Sequence, residues 1–550
     1  MDDLDPSSPA PKRSDDIGLV SGAVRARAHR RSRVQVPFTH AVCDWITEAL
    51  ILAMVLFSPW AFGTTQPWSV WTMNTAAYLL GGLLLTKWVI RWKTGFHPVR
   101  WGFTRQEGMI VLEEKGTRTS RWITGILAVL TVLVVLFTFI SAINARATFL
   151  ADQGRFEYRD YIRWLPHSYD SVSTWQAFWN YLGLSLFFWA CRDWLLCKTE
   201  TETRSLEGGE RSRRGSSEAS STRTSSAASS SQKSAPPPAW ALPHRMQRLL
   251  WVMCLNGALL ALEGILQRLD GTNKLLWLIV PKFNNSAEAQ FGPYAYRSNA
   301  ATYLNLVWPV CLGFWLTLRK AALHQRQHGE RVGRESYVML LPCAVIMAAA
   351  PIFSISRGGA FVALINLVAA MVLIFLASRR EGTLVRAGML SLFIVILGFS
   401  SYLGWKSLQD RITNIFVDNM SNRSEIYDNA QPIADDFPLL GTGPGTFGPI
   451  YFLYKQPSQT WAGYLHDDFL ETRITFGWVG FSVILLLTAL AATRWIWPGA
   501  VACPWEFPTF LWLAMAGCFL HAKYDFPFQV YSLHFLFLLL CCVASCLSRK

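Results

Sequence analysis

Apolar runs of about twenty residues recur along this chain, and each is long enough to cross the hydrocarbon core of a bilayer as a helix. They lie near residues 41–63, 69–90, 122–143, 174–196, 246–266 and 299–318, then near 336–353, 359–378, 387–405, 467–493, 507–521 and 528–547. Inside a bilayer a backbone must satisfy its own hydrogen bonds, which makes a run of this kind a helix. The pattern predicts an all-α polytopic membrane protein with about twelve transmembrane helices. The eleventh run is the weakest, being short and flanked by prolines.

Only 16% of the residues are charged and 51% are hydrophobic, a balance that excludes an ordinary soluble domain. The net charge of +14 does not indicate nucleic-acid binding, because the basic residues sit between the apolar runs. With the N-terminus inside, inner segments hold about 35 lysines and arginines and outer segments about 14, while Lys87 and Arg473 fall within spans. That bias puts both termini in the cytoplasm. About forty polar, basic residues precede the first run and no small-residue cleavage site follows it, so no secretory signal peptide is expected. The eleven cysteines lie in apolar runs or inner segments, and structural disulfides are not expected.

The chain divides into a disordered basic tail (1–40), helices 1–4 (41–197), a disordered Ser- and Arg-rich inner loop (198–245), helices 5–9 (246–405), an outer, periplasmic loop (406–466) and helices 10–12 (467–550). The inner loop carries too little apolar surface to offset its ordering entropy. A regulatory phosphorylation site and a passive linker are both open readings. The outer loop mixes aromatic residues, turns and polar residues, and a long loop of that composition is expected to fold and to carry function. Shorter outer loops lie at 144–173 and 267–298.

Four outer segments hold the residues able to do chemistry. Arg297 and Asn299 open the sixth span, and Arg357 lies in a hairpin between the seventh and eighth. Arg423 is in the long loop, and His466, Asp467, Asp468 and Arg473 open the tenth span. A lone arginine at membrane depth is a functional candidate, with a snorkelling side chain as the other reading. Gly358 and Gly359 after it would let a bulky group approach the backbone. On a helix His466 and Arg473 would share a face, about 10 Å apart along the axis. An imidazole suits a general base for a sugar hydroxyl, and guanidiniums suit a pyrophosphate. Asp467 and Asp468 could hold a divalent cation or simply favour a helix start. The Gly441–Gly445 turn is no phosphate-binding loop, since no Lys-Ser/Thr follows it. His521, Lys523 and Asp525 cluster at the outer end of the eleventh span, where substrate entry and simple anchoring are both open roles.

These segments resemble the O-antigen ligase and polymerase superfamily of bacterial membrane glycan transferases. The resemblance is carried by RSEIYDNAQPIADDFPLLGTGPGTF from Arg423, by YLHDDFLETRITFGWVG around His466, by SISRGG around Arg357, and by GPYAYRSNAATYLNLVWPVCLG around Asn299. It implies an all-helical glycosyltransferase of the C type in the bacterial inner membrane. Its donor would be a polyprenyl-pyrophosphate-linked saccharide, and its acceptor a glycolipid, a glycan or a protein. Arg357 and Arg423 would hold the donor pyrophosphate, His466 would activate the acceptor hydroxyl, and Arg297, Asn299, Arg473, His521 and Lys523 would bind substrate. The resemblance implies no cofactor and no metal, with inversion by direct displacement. The chain departs from the family in keeping only Asn299 of a paired asparagine and in having Asp467 after the histidine. A transporter or flippase of the same lipid-linked intermediate is the rival reading.

Overall fold

The computed structural model describes residues 36–101, 103–106, 109–112, 117–203, 242–327, 336–377, 391, 394, 398, 420–459, 461–497 and 501–549, with only the backbone at 103–106, 109–112, 117–118 and 420–424. Helices α1 (Phe38–Trp60) and α2 (Pro67–Thr94) form a hairpin, followed by α3 (Thr117–Ile143), α4 (Ser171–Leu196), α5 (His244–Asp270) and α6 (Arg297–Gln327). Then come α7 (Leu340–Phe353), α8 (Arg357–Ala377), α9 (Met420–Asp436), α10 (Phe447–Tyr454), α11 (Asp468–Thr493), α12 (Glu506–Ala522) and α13 (Tyr531–Cys546). Strands are few: two antiparallel hairpins, β1 (Phe103–Gln106) with β2 (Met109–Leu112) and β3 (Ala147–Leu150) with β4 (Arg155–Tyr158), and a short parallel pair, β5 (Val501–Ala502) with β6 (Leu547–Ser548).

Among the described residues seven helices are long and apolar enough to cross a membrane: Phe38–Trp60, Thr119–Ile143, His244–Asp270, Arg297–Gln327, Ser336–Phe353, Arg357–Ala377 and Asp468–Ile496. The other apolar runs among the described residues are also helical. Helix α2 carries Lys87 and Arg91, α4 carries Arg192 and Asp193, and α12 and α13 are only 17 and 16 residues long. The run expected at 387–405 lies outside the described residues apart from three single positions.

Helix α6 is the axis of the bundle. Every residue from Ser298 to Thr317 is buried, against α5, α7, α8, α12 and α13. Buried on every side over that length, it leaves no face for lipid. The turns between α1 and α2, α3 and α4, α5 and α6, and α12 and α13 all lie at one end of the bundle. There a second, smaller apolar cluster (Tyr169, Ala430, Ile433, Phe447, Ile450, Leu465, Ile474) forms a cap over the bundle.

That cap is locked to α11 through a break in the helix. Gly477 has φ +62° and interrupts the run, freeing backbone groups on both sides. The 438–443 turn supplies partners: Thr442 N–H donates to Ile474 O (2.9 Å), Gly443 N–H to Thr475 O (3.0 Å), Trp478 N–H to Pro438 O (2.8 Å) and Val479 N–H to Leu439 O (3.1 Å). Gly441, at φ +70°, must lack a side chain, because a Cβ there would fall 2.5 Å from Gly477 N. The glycine turn seen in the sequence therefore plugs a broken helix.

The inner loop expected to be disordered from residue 198 keeps an ordered first turn. Thr199 and Glu202 form a capping box, with Glu202 Oε2 accepting from Thr199 N–H (2.8 Å) and Glu202 Oε1 accepting from His244 N–H (2.7 Å). Residues 204–241 lie outside the described residues.

Candidate active site

The loop-bearing end encloses a cavity of about 850 Å³, lined by the α1–α2 turn, the start of α4, the 275–284 loop, Tyr296 and Asn299, and the starts of α11 and α13. One wall is an aromatic stack in which Phe526 lies between Tyr296 (5.6 Å) and Tyr464 (4.7 Å). His466, Arg357 and Asp525 do not line the cavity. His466 packs edge-on against the same Phe526 ring, with centroids 4.8 Å apart, so Phe526 is the shared wall.

His466 has φ +61°, a left-handed conformation uncommon for a residue with a side chain. The Tyr427 hydroxyl donates to its carbonyl (2.9 Å). Helix α11 starts after it, capped by Asp467, whose Oδ1 accepts from the N–H groups of Phe469 and Leu470. His466 is thus outside the helix, and helical spacing does not pair it with Arg473. Arg473 instead lies over Trp478, 4.7 Å from the ring, and reaches Asp435 at 3.3 Å.

The partner of His466 is Asp525, with Nδ1 3.2 Å from Oδ1. Asp525 is buried, and its Oδ2 accepts from the Ser298 hydroxyl (2.5 Å) and the Tyr296 hydroxyl (3.3 Å). Burial alone would raise the pKa of this carboxyl. The His466 hydrogen bond, the His521 and His466 rings and the Ser298 hydroxyl outweigh burial and hold it below the ordinary carboxylate value.

His521 is also buried, with Nδ1 2.8 Å from Thr302 Oγ1 and Nε2 3.0 Å from Ser298 Oγ. The Thr302 hydroxyl gives its proton to the Ser298 carbonyl and the Ser298 hydroxyl gives its own to Asp525. Both ring nitrogens of His521 therefore face hydroxyls, with Nε2 3.7 Å from Asp525 Oδ2. Asp525 lies between two histidines, one buried and one a quarter exposed.

Arg357 is half-buried and begins α8, where the helix dipole favours an anion. The preceding Ser356 hydroxyl accepts from Gly359 N–H (3.2 Å) and donates to Ser298 Oγ (3.3 Å), which joins the arginine hairpin to the Asp525 network. The two glycines serve packing more than ligand approach. A Cβ on Gly359 would meet Ala301 Cβ at 2.3 Å, and one on Gly358 would meet His521 Nε2 at 3.2 Å. Arg297 donates to the Glu288 carbonyl (2.5 Å), and Lys523 pairs with Asp467 (2.5 Å). Asn299 is buried at the cavity wall. Arg423 falls in α9, and its side chain lies outside the described residues.

The acidic pair after His466 is engaged by protein donors. Asp467 caps α11 and meets Lys523, while Asp468 accepts from Phe528 N–H (2.8 Å) and Gln529 Nε2 (3.1 Å). Among the described residues no group of three or more His, Cys, Asp or Glu is placed to hold a metal ion.

Asp525 stands in the sequence only as a neighbour of His521 and Lys523, and its contact with His466 spans a complete helical hairpin. The one local signal is the i, i+4 spacing of His521, in the last turn of α12, and Asp525, just past its end. Ser298, Thr302 and Tyr296 carry no sequence signal of their role.

No curated protein matches the chain. Residues 342–485, from α7 through most of α11, match the family model described as O-antigen ligase. The matched segment contains Arg357, Arg423 and His466, three of the residues on which the sequence resemblance rests.

Proposed function

We propose that this protein transfers a glycan from a polyprenyl-pyrophosphate-linked donor to an acceptor hydroxyl on the periplasmic face of the bacterial inner membrane. The observation that carries this reading is the His466–Asp525 pair, which shares a hydrogen-bond network with the Arg357 hairpin beside a large cavity. Asp525 accepts from Nδ1 of His466, which leaves Nε2 to take the proton of an acceptor hydroxyl. The buried carboxylate then stabilises the imidazolium that forms. Arg357, at a helix N-terminus, and Arg423 bind the donor pyrophosphate and offset the charge that grows on it as it leaves. The donor is already activated, so positioning and charge stabilisation suffice for direct, inverting displacement without a metal. The acceptor is a glycolipid, a growing glycan or a protein.

Purified protein in detergent is assayed with a polyprenyl-pyrophosphate glycan, with and without EDTA. Turnover should survive EDTA and fall by roughly 10²–10⁴-fold in His466→Ala. Arg357→Ala and Arg423→Ala should lose turnover while remaining folded. Donor flipping in liposomes without transfer to any acceptor would establish the flippase reading instead.

A further inference from the structure

The end of the bundle opposite the cavity holds an ion cluster that no part of glycan transfer uses. It gathers Asp44 of α1, Lys87 and Arg91 of α2, Arg100 of the following segment, Asp193 of α4 and Arg245 of α5. Asp193 receives Arg91 in a two-bond fork (2.9 Å each), Arg100 (2.5 Å) and Lys87 (3.4 Å). Asp44 receives Arg245 and Lys87, the latter at 3.4 Å. Among the remaining described neighbours, Glu48 also acts on Arg245 but is matched by Arg248 (2.8 Å). His40 Nε2 accepts from Arg91 Nε (3.2 Å) and is therefore unprotonated there. Cys197 stays a thiol, because burial raises its pKa.

Among the described residues four cations thus face two carboxylates, and Lys87 is fully buried. Buried charge without compensation is costly, so the excess of cations among the described residues suits an added anion. Its surroundings indicate the source. Trp45, Trp88 and Trp92 stand exposed on α1 and α2 at the same level, at 73%, 50% and 82%, as tryptophans do at the headgroup layer. Arg100, one-third exposed, is the open edge of the cluster.

We infer that this cluster is a binding site for the phosphate of an anionic phospholipid in the leaflet facing the N-terminal end of α1, with Arg100 as its point of contact. A guanidinium at the headgroup layer bonds phosphate oxygens in pairs, and basic pockets between helices select anionic lipids in this way. The bound headgroup would complete the charge balance of α1, α2, α4 and α5, and so stabilise the half of the bundle farthest from the cavity.

The test uses the full chain in detergent, with thermal unfolding and retention of lipid by native mass spectrometry as readouts. Dioleoyl phosphatidylglycerol should raise the unfolding temperature and remain bound, whereas dioleoyl phosphatidylcholine and inorganic phosphate should do neither. Arg100→Gln should weaken phosphatidylglycerol retention roughly tenfold while the lipid-free unfolding temperature stays near wild type. Lys93→Gln, which removes an exposed charge outside the cluster, should leave retention unchanged. An equal response to phosphatidylcholine would overturn the site. So would full stabilisation by inorganic phosphate, which would mark a small-anion site, or an equal loss in Lys93→Gln, which would mark diffuse attraction.

Discussion

Replacing Asp525 by Asn keeps the shape of the residue and removes the charge that faces both His466 and His521. The acceptor step should slow on the order of 10²–10⁴-fold with little change in the donor KM, as measured in the transfer assay. The stability difference has a defined pH dependence. Because the folded-state pKa of Asp525 is depressed, its contribution is complete above the unfolded value of about 4 and is lost as pH falls through the folded value. The gap in unfolding temperature between wild type and Asp525→Asn should therefore be full at pH 7 and close below about pH 4. A gap that persisted into acid would remove the ionised carboxylate from the account. Asp467 tests the opposite idea. Its carboxylate caps α11, and asparagine caps almost as well, so Asp467→Asn should keep turnover and cost under about 1 kcal/mol. Loss of turnover restored by added divalent cation would instead make Asp467 a metal ligand.

At the scale of elements the decisive feature is the break in α11 and the turn that fills it. Gly441→Ala forces a Cβ to within 2.6 Å of Thr475 and Gly477 and also strains φ +70°. Gly95 has a similar φ of +64° but nothing within reach of a Cβ, so Gly95→Ala measures the backbone term alone, about 1–2 kcal/mol. Gly441→Ala should cost clearly more, and equal effects in chemical denaturation would show that the plug does not hold the cap to the bundle. The helices themselves were legible from the apolar runs: α1, α2, α4 and α6 begin and end within a few residues of the expected limits, apart from α6, which runs on to Gln327. The break was not legible, because Gly477 reads like any glycine in a transmembrane helix until the 438–443 turn is placed beside it. For the same reason the expected His466–Arg473 face failed. The helix starts one cap later than the histidine, and Arg473 turns toward Trp478 and Asp435.

For the whole molecule the arrangement is a bundle with two different ends, a cap and cavity at one and an ion cluster at the other. If the cap faces the periplasm, Asp152→Cys in the β3–β4 turn should react with a membrane-impermeant maleimide in intact spheroplasts, whereas Lys93→Cys should react only after permeabilisation. The native background is low, since nine of the eleven cysteines are buried and the other two, Cys43 and Cys343, are partly buried. The reverse labelling pattern would invert the proposed topology.

The sequence alone determined that this chain is a helical membrane protein and which residues invite catalysis. Apolar length and the cost of an unpaired charge in lipid are local properties, written within twenty residues of each other. Only the tertiary structure decided that Asp525 meets His466, that Ser298 and Ser356 join that pair to the Arg357 hairpin, that Lys87 meets Asp44 and Asp193, and that Arg91 meets Asp193. Each of those contacts links side chains on different helices. Helical periodicity fixes which face a residue occupies, but the crossing of one helix by another fixes what that face meets.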